Sequence, residues 1–182
     1  NSQPFEIPQE ILNEWRHIGS KGEQLENKWL EILSKNNPKI KSEIAKTSEN
    51  LDFVGLEKLI LDEKEKHFEA KPSLATRQCS MAVIEKISAF LPQLIGGSAD
   101  LSGSNNTKTN NSKIINSKNF NGNYIHYGVR EHGMAAIMNG LALYGGLIPY
   151  GGTFLIFSDY CKPSVRLSAL MGLKVIYIFS HD

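Results

Sequence analysis

The chain has 182 residues, a formal net charge of +1, and 41% hydrophobic and 21% charged residues. This balance is typical of a soluble globular protein with one sizeable domain and an accessory segment, and it provides no basic surface for nucleic acid. No apolar run approaches the roughly 20 residues that span a bilayer, and the polar N-terminus lacks a signal-peptide pattern, so we expect no membrane partner.

Two cysteines, Cys79 and Cys161, lie far apart and in unlike contexts. Neither has a CxxC partner, so the sequence indicates neither a zinc site nor a redox dithiol. Unpaired cysteines agree with a reducing compartment, and we therefore predict a cytoplasmic location.

Residues 1–70 are polar, rich in lysine and glutamate, and helical in pattern. Leu25, Trp29, Ile32 and Leu33 recur at the spacing of one helical face, and Pro38 is expected to end that helix or to open the next. A second helical stretch, LEKLILDEKEKHFEA, ends in a charge run from Asp62 to Lys71 that predicts a solvated face.

Residues 71–182 alternate between helical and strand-like patterns. An amphipathic helix is expected from Thr76 to Leu91, followed by a short buried strand in QLIGGSADL. Gly96 and Gly97 match neither GxGxxG nor a P-loop, so a tight turn is the favoured interpretation over a phosphate cradle. Residues 105–123 are rich in asparagine, serine and lysine, which predicts an exposed, mobile loop.

The remaining segments continue the alternation. GNYIHYG is strand-like, Glu131 to Tyr144 is helix-like, LIPYGGTFLIF indicates a strand and a turn, Tyr160 to Met171 is helix-like, and LKVIYIFSHD is a β-branched, aromatic strand. Near-continuous apolar strands separated by helices predict an α/β fold, a doubly wound and mostly parallel sheet with helices on both faces, preceded by the helical segment.

Three polar clusters fall at the predicted carboxyl ends of strands, where parallel sheets bind ligands. They are Ser98-Ala99-Asp100, Arg130-Glu131-His132 and Ser180-His181-Asp182. The spacing alone leaves Glu131 open to two interpretations, a helix-start charge or a reactive group. His126 and His132 are six residues apart, which suits no helical metal pair, so no metal ligand is predicted in this chain.

Three aromatic residues, Phe154, Phe157 and Tyr160, recur at i, i+3 and i+6. This spacing is typical of core packing. A row of rings beside a polar turn is also suited to a flat heterocycle, so both interpretations stay open at this point.

Taken together, the motifs resemble transketolase, specifically its pyrimidine-binding middle domain. The resemblance rests on ATR at 75–77, GGSADLSGSN at 96–105, NYIHYGVREHGM at 123–134, PYGGTFLIFSDY at 149–160 and the terminal His181-Asp182. It covers nearly the whole chain, since PFEIPQEI and the helices after it are similar to the segment that joins the family's first two domains. We therefore expect an inter-domain segment at 1–70 and a pyrimidine-binding domain, truncated at its C-terminus, at 71–182.

The resemblance implies the transfer of a two-carbon ketol unit from a ketose phosphate to an aldose phosphate, in the pentose phosphate pathway, with thiamine diphosphate and Mg²⁺ or another divalent metal. Glu131 matches the catalytic glutamate, whose carboxylate hydrogen-bonds N1′ of the aminopyrimidine. The other matches are Phe154, Phe157 and Tyr160 on the pyrimidine ring, Asp100 and Leu101 beside the cofactor, and Arg77, Ser104 and His181 on the sugar-phosphate substrate.

The family's site lies between the two subunits of a homodimer, and its diphosphate and metal ligands lie in a first domain that this sequence does not contain. We therefore expect a fragment that is inactive by itself. A dihydroxyacetone synthase, a phosphoketolase-like enzyme and a non-catalytic pyrimidine-domain subunit of a split assembly stay open as alternatives.

Overall fold

The computed structural model describes residues 3–48 and 52–181, and the chain divides into two compact units at residue 46. The first unit contains α1 (Gln9–Lys35) and most of α2 (Pro38–Ser48). Pro38 opens α2, at a position where its missing N–H costs nothing, so one of its two predicted roles is confirmed. The predicted apolar stripe of α1 is on the surface, because no residue of this helix is buried.

The second unit begins with two helices, α3 (Phe53–Ala70) and α4 (Thr76–Phe90). The Asp52 side chain accepts a hydrogen bond from the Gly55 amide at 2.9 Å and so caps α3. The charge run that ends α3 is largely solvated, as predicted. Glu63 is the exception, since its side chain is 13% exposed and lies within 4.0 Å of Lys66 and Lys86.

Four parallel strands form the sheet that carries the site. They are β1 (Leu94–Ser98), β2 (Tyr124–His126), β3 (Ile148–Phe154) and β4 (Ile176–Ser180), in the order β2-β1-β3-β4. Helix α4 packs against β1, α5 (Glu131–Tyr144) packs against β3, and α6 (Ser158–Leu170) packs against α5.

The core divides into two clusters of buried side chains, one under α4 and one under α5. The first contains Ile84, Leu94 and Tyr150, and the second contains Tyr127, Met134 and Met138. Successive side chains of a strand point to opposite faces, so both faces of the sheet are covered. The structure confirms the predicted α/β fold with a parallel sheet and helices on both faces. No helix among residues 3–48 and 52–181 is both long and apolar enough to cross a membrane.

The glycine pair in GGSADL is not the predicted turn. Gly96 and Gly97 lie within β1. A Cβ atom on Gly96 would overlap the ring of Tyr150, and one on Gly97 would overlap the ring of Tyr127 and lie 2.6 Å from the carbonyl oxygen of Ile125. The glycines are therefore required by close packing on both faces of the strand rather than by a change of direction.

The sequence predicted that the asparagine-rich loop is exposed, but part of the loop is buried. Asn105 and Thr107 are fully buried. The Thr107 hydroxyl shares a hydrogen bond with the Tyr124 hydroxyl at 2.9 Å, and the Tyr150 hydroxyl donates to the Thr107 carbonyl at 2.9 Å. Core tyrosines thus supply partners for the hydroxyl and the carbonyl of Thr107, whereas most of the loop beyond residue 109 is exposed.

Candidate functional site

A cleft of about 460 Å³ opens at the carboxyl edge of the sheet. Its walls come from the segment after β1, the first turn of α5, and the segment between β3 and α6. The lining residues are Ala99, Asp100, Leu101, Val129, Glu131, Phe157 and Tyr160. Parallel sheets place ligand sites at this edge because the loops that follow the strands converge there.

Glu131 is the first residue of α5, and it is 8% exposed. The chain reaches it through Gly128, whose φ of +69° lies in the left-handed region, and Arg130 donates from Nη1 to the Tyr127 carbonyl at 2.9 Å. The helix N-terminus favours a negative charge at this position. The Glu131 carboxylate has no hydrogen-bond or ion-pair partner among the described residues.

A buried carboxylate is costly unless donors satisfy it. Because the Glu131 side chain lines the cleft, a ligand in the cleft would be placed to supply that donor. A planar heterocycle with a protonated ring nitrogen fits this requirement, since it offers one N–H donor and two faces for stacking.

Three aromatic rings form a row along one side of the cleft. The ring centroids of Phe154 and Phe157 are 5.9 Å apart at 26°, and those of Phe157 and Tyr160 are 5.8 Å apart at 29°. The 3₁₀ turn Leu155–Phe157 places Phe154 and Phe157 on one side, because it has three residues per turn, and Tyr160 follows three residues later in the first turn of α6. Tyr160 is 65% exposed, so the row does not close into a core.

The opposite wall is the segment that follows β1. The Leu101 amide donates to the Ser98 hydroxyl at 3.1 Å, and the Ser104 amide donates to the Leu101 carbonyl at 3.0 Å. Asp100 has a φ of 62°, a left-handed conformation that aspartate tolerates better than most residues. These bonds hold Asp100 and Leu101 beside Glu131 within a tight turn.

Arg77, Ser104 and His181 are not among the residues that line this cleft. Arg77 is the second residue of α4, which packs against β1 and is joined to the start of that strand by residues 91–93, so the first turn of α4 lies toward the carboxyl edge. The His181 ring follows β4, with its centroid 5.3 Å from that of Phe154. The structure therefore places these groups at the same edge of the sheet, outside the cleft. Asp182, which the sequence grouped with His181, lies outside the described residues.

The sequence analysis named Ala99 only as part of the cluster Ser98-Ala99-Asp100 and did not single out Val129, although both residues line the cleft. The only indication in the sequence that Val129 lines the site is its position two residues before Glu131 in YGVREH. Neither histidine of the motif reaches the cleft lining. His126 meets the Tyr124 ring edge-on at 5.4 Å, and His132 Nδ1 lies 3.2 Å from the Ser164 hydroxyl.

Comparison with known proteins identifies relatives over the whole chain. A profile of the transketolase pyrimidine-binding domain matches residues 72–182. A transketolase of Cereibacter sphaeroides is 44% identical over 98% of this chain and 27% of its own length. A transketolase of Aquifex aeolicus is 41% identical over 99% of this chain and 26% of its own length.

Solved structures agree with these sequence matches. A transketolase of Campylobacter jejuni superposes with a TM-score of 0.77 at 35% identity, over 98% of this chain and 26% of that chain. A transketolase of Pichia stipitis in complex with sedoheptulose 7-phosphate gives 0.80 at 32% identity, over 99% of this chain and 27% of that chain. The chain thus spans about a quarter of the length of the relatives it matches. It belongs to the transketolase family, through that family's pyrimidine-binding domain.

Proposed function

We propose that the protein carrying this chain is a transketolase, which moves a two-carbon ketol unit from a ketose phosphate to an aldose phosphate with thiamine diphosphate. The observation that carries the proposal is Glu131, a largely buried residue that lines the cleft together with Phe157 and Tyr160 and whose carboxylate has no partner among the described residues. When bound, thiamine diphosphate supplies a thiazolium ring that accepts the electron pair of the broken carbon–carbon bond.

Glu131 is the proposed catalytic residue. Its carboxylate would accept a hydrogen bond from N1′ of the aminopyrimidine and hold a proton at that atom. Burial strengthens such a bond, because water competes less for the carboxylate in a cleft of low polarity. The position at the start of α5 keeps the carboxylate fixed relative to the ring row.

Phe154, Phe157 and Tyr160 are proposed to hold the pyrimidine ring by stacking and to exclude water from one side of Glu131. Asp100 and Leu101, on the opposite wall, would limit the orientation of the ring. Five of these six side chains belong to the described cleft or its lining, and Phe154 joins them through its stack on Phe157.

Arg77, Ser104 and His181 are proposed to bind the phosphate end of the sugar substrate. Their place at the same edge of the sheet supports this role, as does the chemistry of the groups. A guanidinium fork, a hydroxyl and an imidazole all donate hydrogen bonds to phosphate oxygens. Because they lie beside the cleft and not in it, substrate and cofactor would occupy adjacent places.

The diphosphate and its Mg²⁺ or other divalent metal are proposed to bind outside this chain, in a first domain of the same protein. Within the described ranges, no three His, Cys, Asp or Glu side chains cluster as metal ligands. The domain assignment stays as the sequence predicted it, with an inter-domain segment at 1–70 and the pyrimidine-binding domain at 71–182.

A homodimer is proposed to complete the site. The support is an apolar surface on α5 and α6, where the side chains of Ile137, Leu143, Tyr144 and Leu170 are 50–89% exposed. Exposed apolar surface of this kind is typical of protein interfaces. The proposed setting is the pentose phosphate pathway in the cytoplasm, without nucleic-acid or membrane partners.

The proposal is tested by Glu131→Gln in the full-length protein, with Asp159→Asn as the control. Both acids lie in the first turn of a helix, but Asp159 is exposed and does not line the cleft. We expect Glu131→Gln to lower kcat by roughly 10²–10⁴-fold, because the residue that holds the N1′ proton is lost. Asp159→Asn should retain activity within about twofold, since only a dipole interaction changes. Near-normal kcat in the Glu131→Gln variant would contradict the assignment.

A further inference from the structure

Buried polar side chains join α5 to α6 behind the cleft. Asn139, Ser164 and Ser168 are 6%, 2% and 6% exposed. Asn139 Nδ2 donates to the Ser164 carbonyl at 2.9 Å, and the Ser168 hydroxyl donates to Asn139 Oδ1 at 2.5 Å. We call these three residues the polar seam.

Two further groups extend the polar seam. The Tyr177 hydroxyl, on β4, lies 2.9 Å from the Ser168 hydroxyl, and His132 Nδ1 lies 3.2 Å from the Ser164 hydroxyl. The Ser168 hydroxyl has one proton to share between Asn139 Oδ1 and the Ser164 carbonyl, which both only accept, so the Tyr177 hydroxyl is the donor to Ser168. The hydrogen-bonded groups therefore extend from His132, next to Glu131 on α5, to Tyr177 on β4.

A buried polar group between two helices destabilises the structure when it has no hydrogen-bond partner. It therefore disfavours every arrangement of the two helices except the one in which its hydrogen bonds are made. Sliding α5 by one turn would move the Asn139 amide by about 5.4 Å and leave both of its hydrogen-bonding atoms unpaired. Apolar side chains at the same place would tolerate small slides and rotations. A single buried asparagine fixes the register of paired helices in this way.

The two helices that the polar seam joins carry two residues of the cleft lining, Glu131 on α5 and Tyr160 on α6. Glu131 is eight residues before Asn139 on α5, roughly 12 Å along the axis at about 1.5 Å per residue. Tyr160 is one turn before Ser164 on α6. A change in the position of α5 relative to α6 thus changes the distance between the Glu131 carboxylate and the ring row.

We propose that Asn139 is a positioning residue that sets α5 against α6, so that the Glu131 carboxylate faces the aromatic row. This inference rests on the proposed function only where turnover is concerned, because the packing of the two helices can be measured without cofactor.

Cys161 provides the cofactor-free measurement. It is fully buried on the face of α6 that carries Ser164 and Ser168, three and seven residues further on. Burial above all, together with the Glu131 charge, raises the pKa of its thiol, so alkylation reports on opening between α5 and α6. Peptide mass spectrometry of the full-length protein would resolve this thiol from all others.

The test uses Asn139→Leu, which keeps a similar volume and removes every hydrogen bond of the amide. Ile84→Val, in the cluster under α4 on the other face of the sheet, is the control for a general loss of stability. We expect Asn139→Leu to raise the alkylation rate of Cys161 by roughly tenfold or more, and to lower kcat by a similar factor with KM for the sugar phosphate little changed, since small misplacements of catalytic groups mainly affect kcat.

Ile84→Val should leave both quantities within about threefold of the unchanged protein. If Asn139→Leu does not fold, Ser168→Ala decides by the same two measurements, because it removes the contacts of the Ser168 hydroxyl and keeps the bond between Asn139 Nδ2 and the Ser164 carbonyl. The inference would be overturned if Asn139→Leu or Ser168→Ala changed the Cys161 alkylation rate and kcat no more than Ile84→Val does, or left both quantities unchanged. Glu131→Gln separates the two proposals. If that variant is fully active, the proposed function fails, whereas Cys161 alkylation still decides the role of Asn139.

Discussion

Replacing Gly97 by alanine tests how closely β1 and β2 are packed. The added Cβ would lie 2.6 Å from the Ile125 carbonyl oxygen and 2.8 Å from Cδ2 of Tyr127. An ordinary contact is about 3.4 Å or more, so the strands must separate by nearly 1 Å. The Ile125 oxygen is backbone, and it cannot rotate away as the end of a flexible side chain can.

The cost can be worked out from the bonds on either side. The Tyr127 amide donates to the Ser98 carbonyl at 3.1 Å, and the Gly96 amide donates to the Asn123 carbonyl at 2.8 Å. Weakening both costs about 1–2 kcal/mol, and overpacking adds about 1–3 kcal/mol. We therefore expect Gly97→Ala to destabilise β1 and β2 by about 3 kcal/mol, which corresponds to a roughly hundredfold faster amide exchange.

Gly151→Ala is the matched control, because Gly151 lies in β3, next to β1 in the sheet. Its added Cβ would meet the sulfur atoms of Met134 and Met138, which can move aside. Hydrogen–deuterium exchange of β1 and β2 peptides measures both variants. The reasoning is refuted if Gly97→Ala changes exchange by less than about threefold, or if the two variants behave alike.

Two other predictions concern the pKa of a buried tyrosine and the packing of residues 105–109. Burial, with a smaller contribution from Tyr124, raises the pKa of Tyr127 to about 12, above the ordinary value of 10.0. The folded state then holds a proton that the unfolded state loses above pH 10, so the free energy of unfolding falls as the pH rises from 10 to 12. We expect this fall to be about 2 kcal/mol smaller in Tyr127→Phe, as measured by urea denaturation at pH 10 and pH 12. An equal fall in both proteins would contradict the prediction. Gly152→Ala would bring a Cβ into the Thr107 methyl group. We expect faster amide exchange in residues 105–109 with β4 unchanged, and unchanged exchange at 105–109 would show that the loop is not held from this side.

The alternation of strands and helices was readable from the sequence because it depends on local pattern. The prediction of a helix from Glu131 to Tyr144 matches α5 at both ends, since small and apolar residues follow an acid at the start. The parallel sheet followed from near-continuous apolar strands. These features need no knowledge of which residues meet across the fold.

The features that sequence reasoning missed all depend on contacts between distant segments. The glycine pair predicted a turn, but Gly96 and Gly97 lie within a strand because the rings of Tyr150 and Tyr127 occupy the space that a Cβ atom would need. The composition of the loop predicts exposure, but Thr107 is buried because the hydroxyls of Tyr124 and Tyr150 bind its hydroxyl and its carbonyl. In both places a tyrosine more than 15 positions away decides the outcome, and no local pattern contains that information.

For the candidate site, spacing alone left Glu131 and the aromatic row undecided between structural and functional roles. The resemblance supplied the residues, and the structure brings Asp100, Leu101, Glu131, Phe157 and Tyr160 to one cleft. Arg77, Ser104 and His181 stay predictions, since their proximity to a substrate depends on a ligand and not on contacts within the chain.

The single 3₁₀ turn at Leu155–Phe157 has a consequence for the lengths that this segment can have in other sequences. One inserted or deleted residue in such a turn rotates everything after it by about 120° and shifts it by about 2 Å. Phe154 would then no longer share a side with Phe157 and Tyr160, and no compensating substitution elsewhere could realign three rings. Length variation should therefore be absent between positions 154 and 160 of functional relatives, and it should accumulate instead in the exposed stretch 110–122, where extra residues cost little.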